Sequence, residues 1–139
     1  VWDGYPFYAD IEEGGDFMLQ VLAADKTIRH LIIDNTYVRS GWMEDRMNDY
    51  LNNGWFPGLV ELELRTFCHL QAESYLGKLS FDRFAEGVSD SINIVAQRLG
   101  KAPFKYYPVK TSEISPDGQI DDIVRDMALK KAYDIVKSL

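Results

Sequence analysis

Asp34, Asn35, Thr36 and Ser40 carry the clearest chemistry in the chain, because they follow at once on the apolar run Leu31-Ile32-Ile33. A short, partly β-branched run ending in polar residues reads as a buried strand that delivers those groups to one edge of a sheet. A carboxylate, a carboxamide and two hydroxyls beside the start of a following helix suit an anion or a regulatory modification, since a helix N-terminus offers free N–H groups. The same residues also have an architectural use, with Asp34 accepting loop N–H groups and Ser40 capping the helix.

Other reactive types are sparse. Ser40, Asp34 and His30 or His69 do not assemble into a nucleophile system. There is no Gly-x-Ser-x-Gly elbow, and His30 precedes its strand, at the opposite end from Asp34. Cys68, the only cysteine, rules out an intrachain disulfide and any zinc knot of several thiolates. Two distant histidines leave carboxylates as the main available metal ligands, so no metal site is expected. The acidic pairs Glu12-Glu13, Glu44-Asp45, Glu61 with Glu63, and Asp121-Asp122 are what an acidic surface requires, although Glu61 and Glu63 are expected to share a strand face. Neither Gly14-Gly15-Asp16 nor Gly54-x-x-x-Gly58 matches a phosphate-cradling loop. No catalytic residue and no cofactor is therefore assigned. The rings Tyr37, Trp42, Tyr50, Trp55 and Phe56 cluster around the second helix and could line a protein interface or a pocket for a small apolar ligand. Their alternative use is to close the core. An enzyme using Asp34 or the Glu61 and Glu63 pair is the third reading, behind protein interaction and ligand binding.

A chain of 139 residues is expected to form one domain over 1–139, with a core that needs no disulfide or metal. Twenty-two acidic residues against 15 lysines and arginines give a net charge of −7, which repels phosphate backbones and argues against nucleic acid. No apolar run reaches the length of about eighteen residues that a membrane span requires. The simplest setting for such a composition is the cytoplasm. Opening at Val1, the chain reads as a processed or trimmed piece.

The elements that must position these residues alternate. Phe7, Ala9 and Ile11 suggest a short strand ended by Gly14-Gly15, and Asp16 then opens a helix with Phe17, Val21, Leu22, Ala24 and Ile28 buried. After the Leu31–Ile33 strand, Met43, Met47, Tyr50 and Leu51 mark a second helix, ended by Asn52-Asn53-Gly54, with Trp55 to Gly58 as an aromatic corner. Residues Val60 to Leu70 alternate with a period of two and predict a long strand with one charged face, placing Cys68 on its apolar side. Ser80 is the expected cap of the longest helix, which runs to Gly100 across Gly87. Phe104 to Lys110 reads as a strand whose Pro108 argues for an edge position or a strand end, and Asp121 or Asp122 opens the last helix, with Ile123, Met127, Ala128, Ala132, Ile135, Val136 and Leu139 as its buried side. Such alternation implies a mostly parallel or mixed sheet with crossover helices.

Several stretches carry a resemblance: Leu31-Ile32-Ile33-Asp34-Asn35, Asn52 to Pro57, Leu79 to Phe84, and the tail Lys131 to Leu139. With them, residues 16 to 139 resemble small bacterial proteins of the STAS-like fold, that of the anti-sigma-factor antagonists. The resemblance implies a four- to five-stranded sheet with helices mainly on one side, and a non-enzymatic role in protein association or self-association. It also implies a phosphorylatable serine at a helix start, for which Ser40, followed by Gly41, is the positional match. The Asp-Ser-x-Gly signature is replaced here by Val38-Arg39-Ser40-Gly41.

Overall fold

The computed structural model describes residues 3–4, 8–38, 45–70, 75–117 and 121–139, with side chains described at 9–36, 48–70, 85–117 and 121–139. Ser40, Trp42 and the Tyr37 side chain lie outside these. The longest helix runs Tyr75–Leu99, so Ser80, its expected cap, lies within it and not at its start.

The elements run β1 (Asp3–Gly4), α1 (Tyr8–Ala24), β2 (His30–Asp34), β3 (Tyr37–Val38) and α2 (Asp45–Tyr50), followed by a π-helical turn (Leu51–Trp55). Then come α3 (Phe56–Glu61), β4 (Thr66–Leu70), α4 (Tyr75–Leu99), β5 (Lys105–Val109), a 3-10 turn (Thr111–Glu113) and α5 (Asp122–Lys137). The main sheet has three strands in the order β2-β4-β5, all parallel, with His30 opposite Thr66 and Thr66 opposite Lys105. β1 and β3 form a separate two-residue parallel pair. The fold is thus α/β as expected, while the main sheet among the described residues has three strands rather than four or five.

Strand alternation divides the core in two. Ile33 and Phe67 face a cluster containing Leu22, Trp55, Phe56, Leu59, Ile92 and Phe104, which packs α1, α3 and α4 on one side of the sheet. Cys68, Leu70 and Val109 face Ala128 and Ala132 of α5 on the other. No helix among the described residues is long and apolar enough to cross a membrane.

Four local expectations are corrected. Tyr8 to Ala24 is one helix instead of a strand and a second element, and Gly14-Gly15 does not end it. Its buried positions Ile11, Gly15 and Leu22 follow a helical stripe, whereas Phe17 and Val21 are exposed. Gly15 is needed there because a Cβ would stand 2.4 Å from the Tyr50 hydroxyl.

Asn52-Asn53-Gly54 does not stop the second helix either. The N–H of Phe56 reaches back five residues to the Leu51 carbonyl, the widened turn of a π-bulge. A new helical start follows, with Pro57 in the first turn of α3, where its missing N–H is not needed.

The predicted long strand is a helix, a turn and a short strand. Phe56, Leu59 and Val60 are buried at a helical spacing, and Glu63 adopts a φ of 60° where the chain reverses. Glu61 and Glu63 therefore share no strand face, and β4 itself is buried on both sides. In α5, Asp121 caps the helix, accepting from Val124 N at 2.9 Å, but Ile123 and Met127 point outward. β5 does occupy the edge position that Pro108 suggested.

Candidate functional site

The carboxyl ends of β2 and β4 bring together Asp34, Asn35, Thr36 and His69, all buried. Alternation sends Asp34 towards α5 and Asn35 to the opposite layer, so two polar clusters meet at one edge of the sheet.

In the first cluster Asp34 Oδ1 accepts from Thr36 N at 3.0 Å and from Thr36 Oγ1 at 2.5 Å. Asp34 Oδ2 accepts from Arg125 Nε at 2.6 Å. The aspartate turn therefore closes the loop after β2, and the arginine ties that loop to α5. Burial pushes the Asp34 carboxyl up, but the Thr36 hydroxyl, Arg125 and the Thr36 amide together outweigh it, holding the group below the usual carboxylate range. Asp34 is an ionised carboxylate committed to three donors.

In the second cluster Asn35 Nδ2 lies 2.7 Å from His69 Nε2, and His69 Nδ1 lies 2.9 Å from the Tyr106 hydroxyl. An amide nitrogen only donates, so Nε2 accepts and the histidine proton sits on Nδ1, directed at Tyr106. The His69 ring stacks on Phe67 at 5.5 Å, and burial pushes its pKa down to about 3. His69 is therefore neutral, and it fixes the carboxamide orientation of Asn35. Among the described residues, Asn35 Oδ1 is left buried without a hydrogen-bond partner, as is Trp55 Nε1 in the same layer.

The remaining candidates are dispersed. His30 is at the amino end of β2, with Nδ1 2.6 Å from Thr66 Oγ1. Cys68 is fully buried on the α5 side, facing away from His69, and burial pushes its thiol up to about 11. Trp55 and Phe56 are core residues, Trp55 meeting Phe67 edge-on at 5.4 Å. Tyr50 is half-buried and donates to Asp16 Oδ1 at 2.8 Å. These three rings thus close the core and join α1 to the π-turn. Among the described residues no group of three or more His, Cys, Asp or Glu side chains is placed to hold a metal ion.

Sequence reading missed Arg125 and Tyr106. Arg125 carried a signal, for it falls on the same stripe of α5 as Ala128 and Ala132, and a charge on an apolar stripe needs a partner. Tyr106 carried none, because its partner lies on another strand. No family model, no curated protein and no solved structure matches this chain.

Proposed function

We propose that the chain is a non-enzymatic binding domain of regulatory type, and that it meets a protein partner at the carboxyl-terminal edge of its parallel sheet, around Asn35. The observation that carries this reading is the Asn35 carboxamide, 3% exposed, oriented by His69 and left with an unpartnered Oδ1. An unpaired buried acceptor costs on the order of 1–3 kcal/mol, so its retention calls for a use beyond holding the fold. Open α/β sheets bind beyond the carboxyl ends of their strands, which is where this atom lies. The groups that would serve catalysis are committed elsewhere: Asp34 to three donors, His69 to a neutral, buried relay, Cys68 to the core. The resemblance to STAS-like proteins points to the same kind of role. On this reading the partner supplies an N–H or O–H to Asn35 Oδ1, and a local opening of the edge admits it.

Site-specific photo-crosslinking in the native source tests this. Lys110 and Lys105 are both exposed and flank the two ends of β5. A photoreactive residue at 110 is expected to give one discrete protein adduct that the same residue at 105 does not. No discrete adduct at 110, or equal adducts at both positions, would count against the proposal.

A further inference from the structure

At the opposite, amino-terminal end of the sheet the chain forms a half-open cavity of about 580 Å³. Ligand pockets fall between about 300 and 1,000 Å³, so the volume suits a small organic molecule. Val60, Leu64 and Pro103 supply apolar wall, while Arg65, Lys101 and Lys105 line it with positive charge. Lys101 is partly neutralised by Glu61, 3.5 Å away. Arg65 and Lys105 have no carboxylate within 4 Å among the described residues. Glu63 is the one acidic side chain among the lining residues. His30 also lines the cavity; with Nδ1 taken by the Thr66 hydroxyl, its Nε2 remains for a ligand.

Two unpaired cations in a concave site are informative in a chain of net charge −7, where carboxylates to neutralise them are abundant. With Glu63 against three cations the lining side chains are net positive, and a concavity of net positive charge concentrates anions. We propose that this cavity binds a small phosphate monoester. The dianion lies between Arg65 and Lys105 within reach of His30, and a compact apolar body rests on Val60, Leu64 and Pro103. The site is separate from the carboxyl-terminal edge and does not depend on the role proposed for Asn35.

Phenyl phosphate is the probe, followed by amide chemical shifts in ¹⁵N-labelled protein, with inorganic phosphate and benzyl alcohol as comparisons. Saturable shifts are expected at residues 63–66 and 100–105, with affinity falling about tenfold or more in Arg65→Gln/Lys105→Gln, as loss of charged hydrogen bonds implies. Both side chains are exposed, so the double variant is expected to keep its fold; the single variants provide the same readout if it does not. Absence of saturable shifts, or undiminished binding by the variants, overturns the proposal. Equal binding of benzyl alcohol removes the anion from it, and equal binding of inorganic phosphate removes the apolar body; either result overturns it.

Discussion

Replacing Arg125 by methionine removes the donor that the arginine offers Asp34. The Arg125 stem can be matched in length, while the Nε donor 2.6 Å from Asp34 Oδ2 is removed. Asp34 is 2% exposed and would keep only the Thr36 donors. A hydrogen bond to a charged group contributes about 1.5–3 kcal/mol, and the arginine side chain, 26% exposed, is partly screened by water. The expected loss is therefore about 2 kcal/mol, roughly 8 °C in Tm at about 4 °C per kcal/mol for a chain of this size. The pH dependence separates charge from packing. Asp34 has a folded pKa below its ordinary 3.8, so its contribution is fully present above that value and is lost as pH falls through the lower folded one. Thermal unfolding of both proteins should thus show a constant gap from about pH 7 to 5 that narrows below about pH 4. A gap of the same size in acid would refute the electrostatic account and assign the loss to packing.

Three other perturbations follow from the same geometry. His69 is buried neutral with a pKa of about 3, so protonation of the unfolded chain below about pH 6.5 favours unfolding. Urea titrations should show the wild type losing about 1.4 kcal/mol per pH unit more than His69→Gln between pH 6 and 4, and parallel losses would disprove the assignment. Gly87→Ala meets nothing within 4 Å and should stabilise α4 by about 1 kcal/mol, whereas Gly15→Ala strikes the Tyr50 hydroxyl and should lower Tm. A Tm that rises in both variants would contradict the α1–Tyr50 contact. The Cys68 thiol, inaccessible and raised to about 11, should react with a thiol reagent only as fast as the protein opens; rapid modification of the native state would show β4 to be exposed.

The legible parts of this chain were those where one physical signal dominates. Leu31-Ile32-Ile33 followed by Asp34 defines β2, Pro108 marks β5 as an edge, and Asp121 marks the start of α5. The obscured parts are those where tertiary contacts override local pattern. Gly15 remains inside α1 because Tyr50 occupies the space of its missing side chain. The alternation from Val60 onwards mimics a strand because a helical turn and a reversal at Glu63 place apolar residues at the same spacing. At the site, Asp34 to Thr36 could be read from position, but their partners could not. His69 lies 34 positions from Asn35, and Arg125 lies 91 from Asp34. Only the register of β2 against β4 and the docking of α5 bring them into contact.

The central claim, that the carboxyl-terminal edge around Asn35 holds a protein partner, is tested most directly by native mass spectrometry of protein purified gently from its own source. Wild type, Asn35→Leu and Cys68→Ala would be compared, the last being a core truncation away from the Asn35 layer. The account predicts a protein-sized mass increment on the wild type and on Cys68→Ala that is absent from Asn35→Leu. An increment carried equally by all three, or by none, would contradict it.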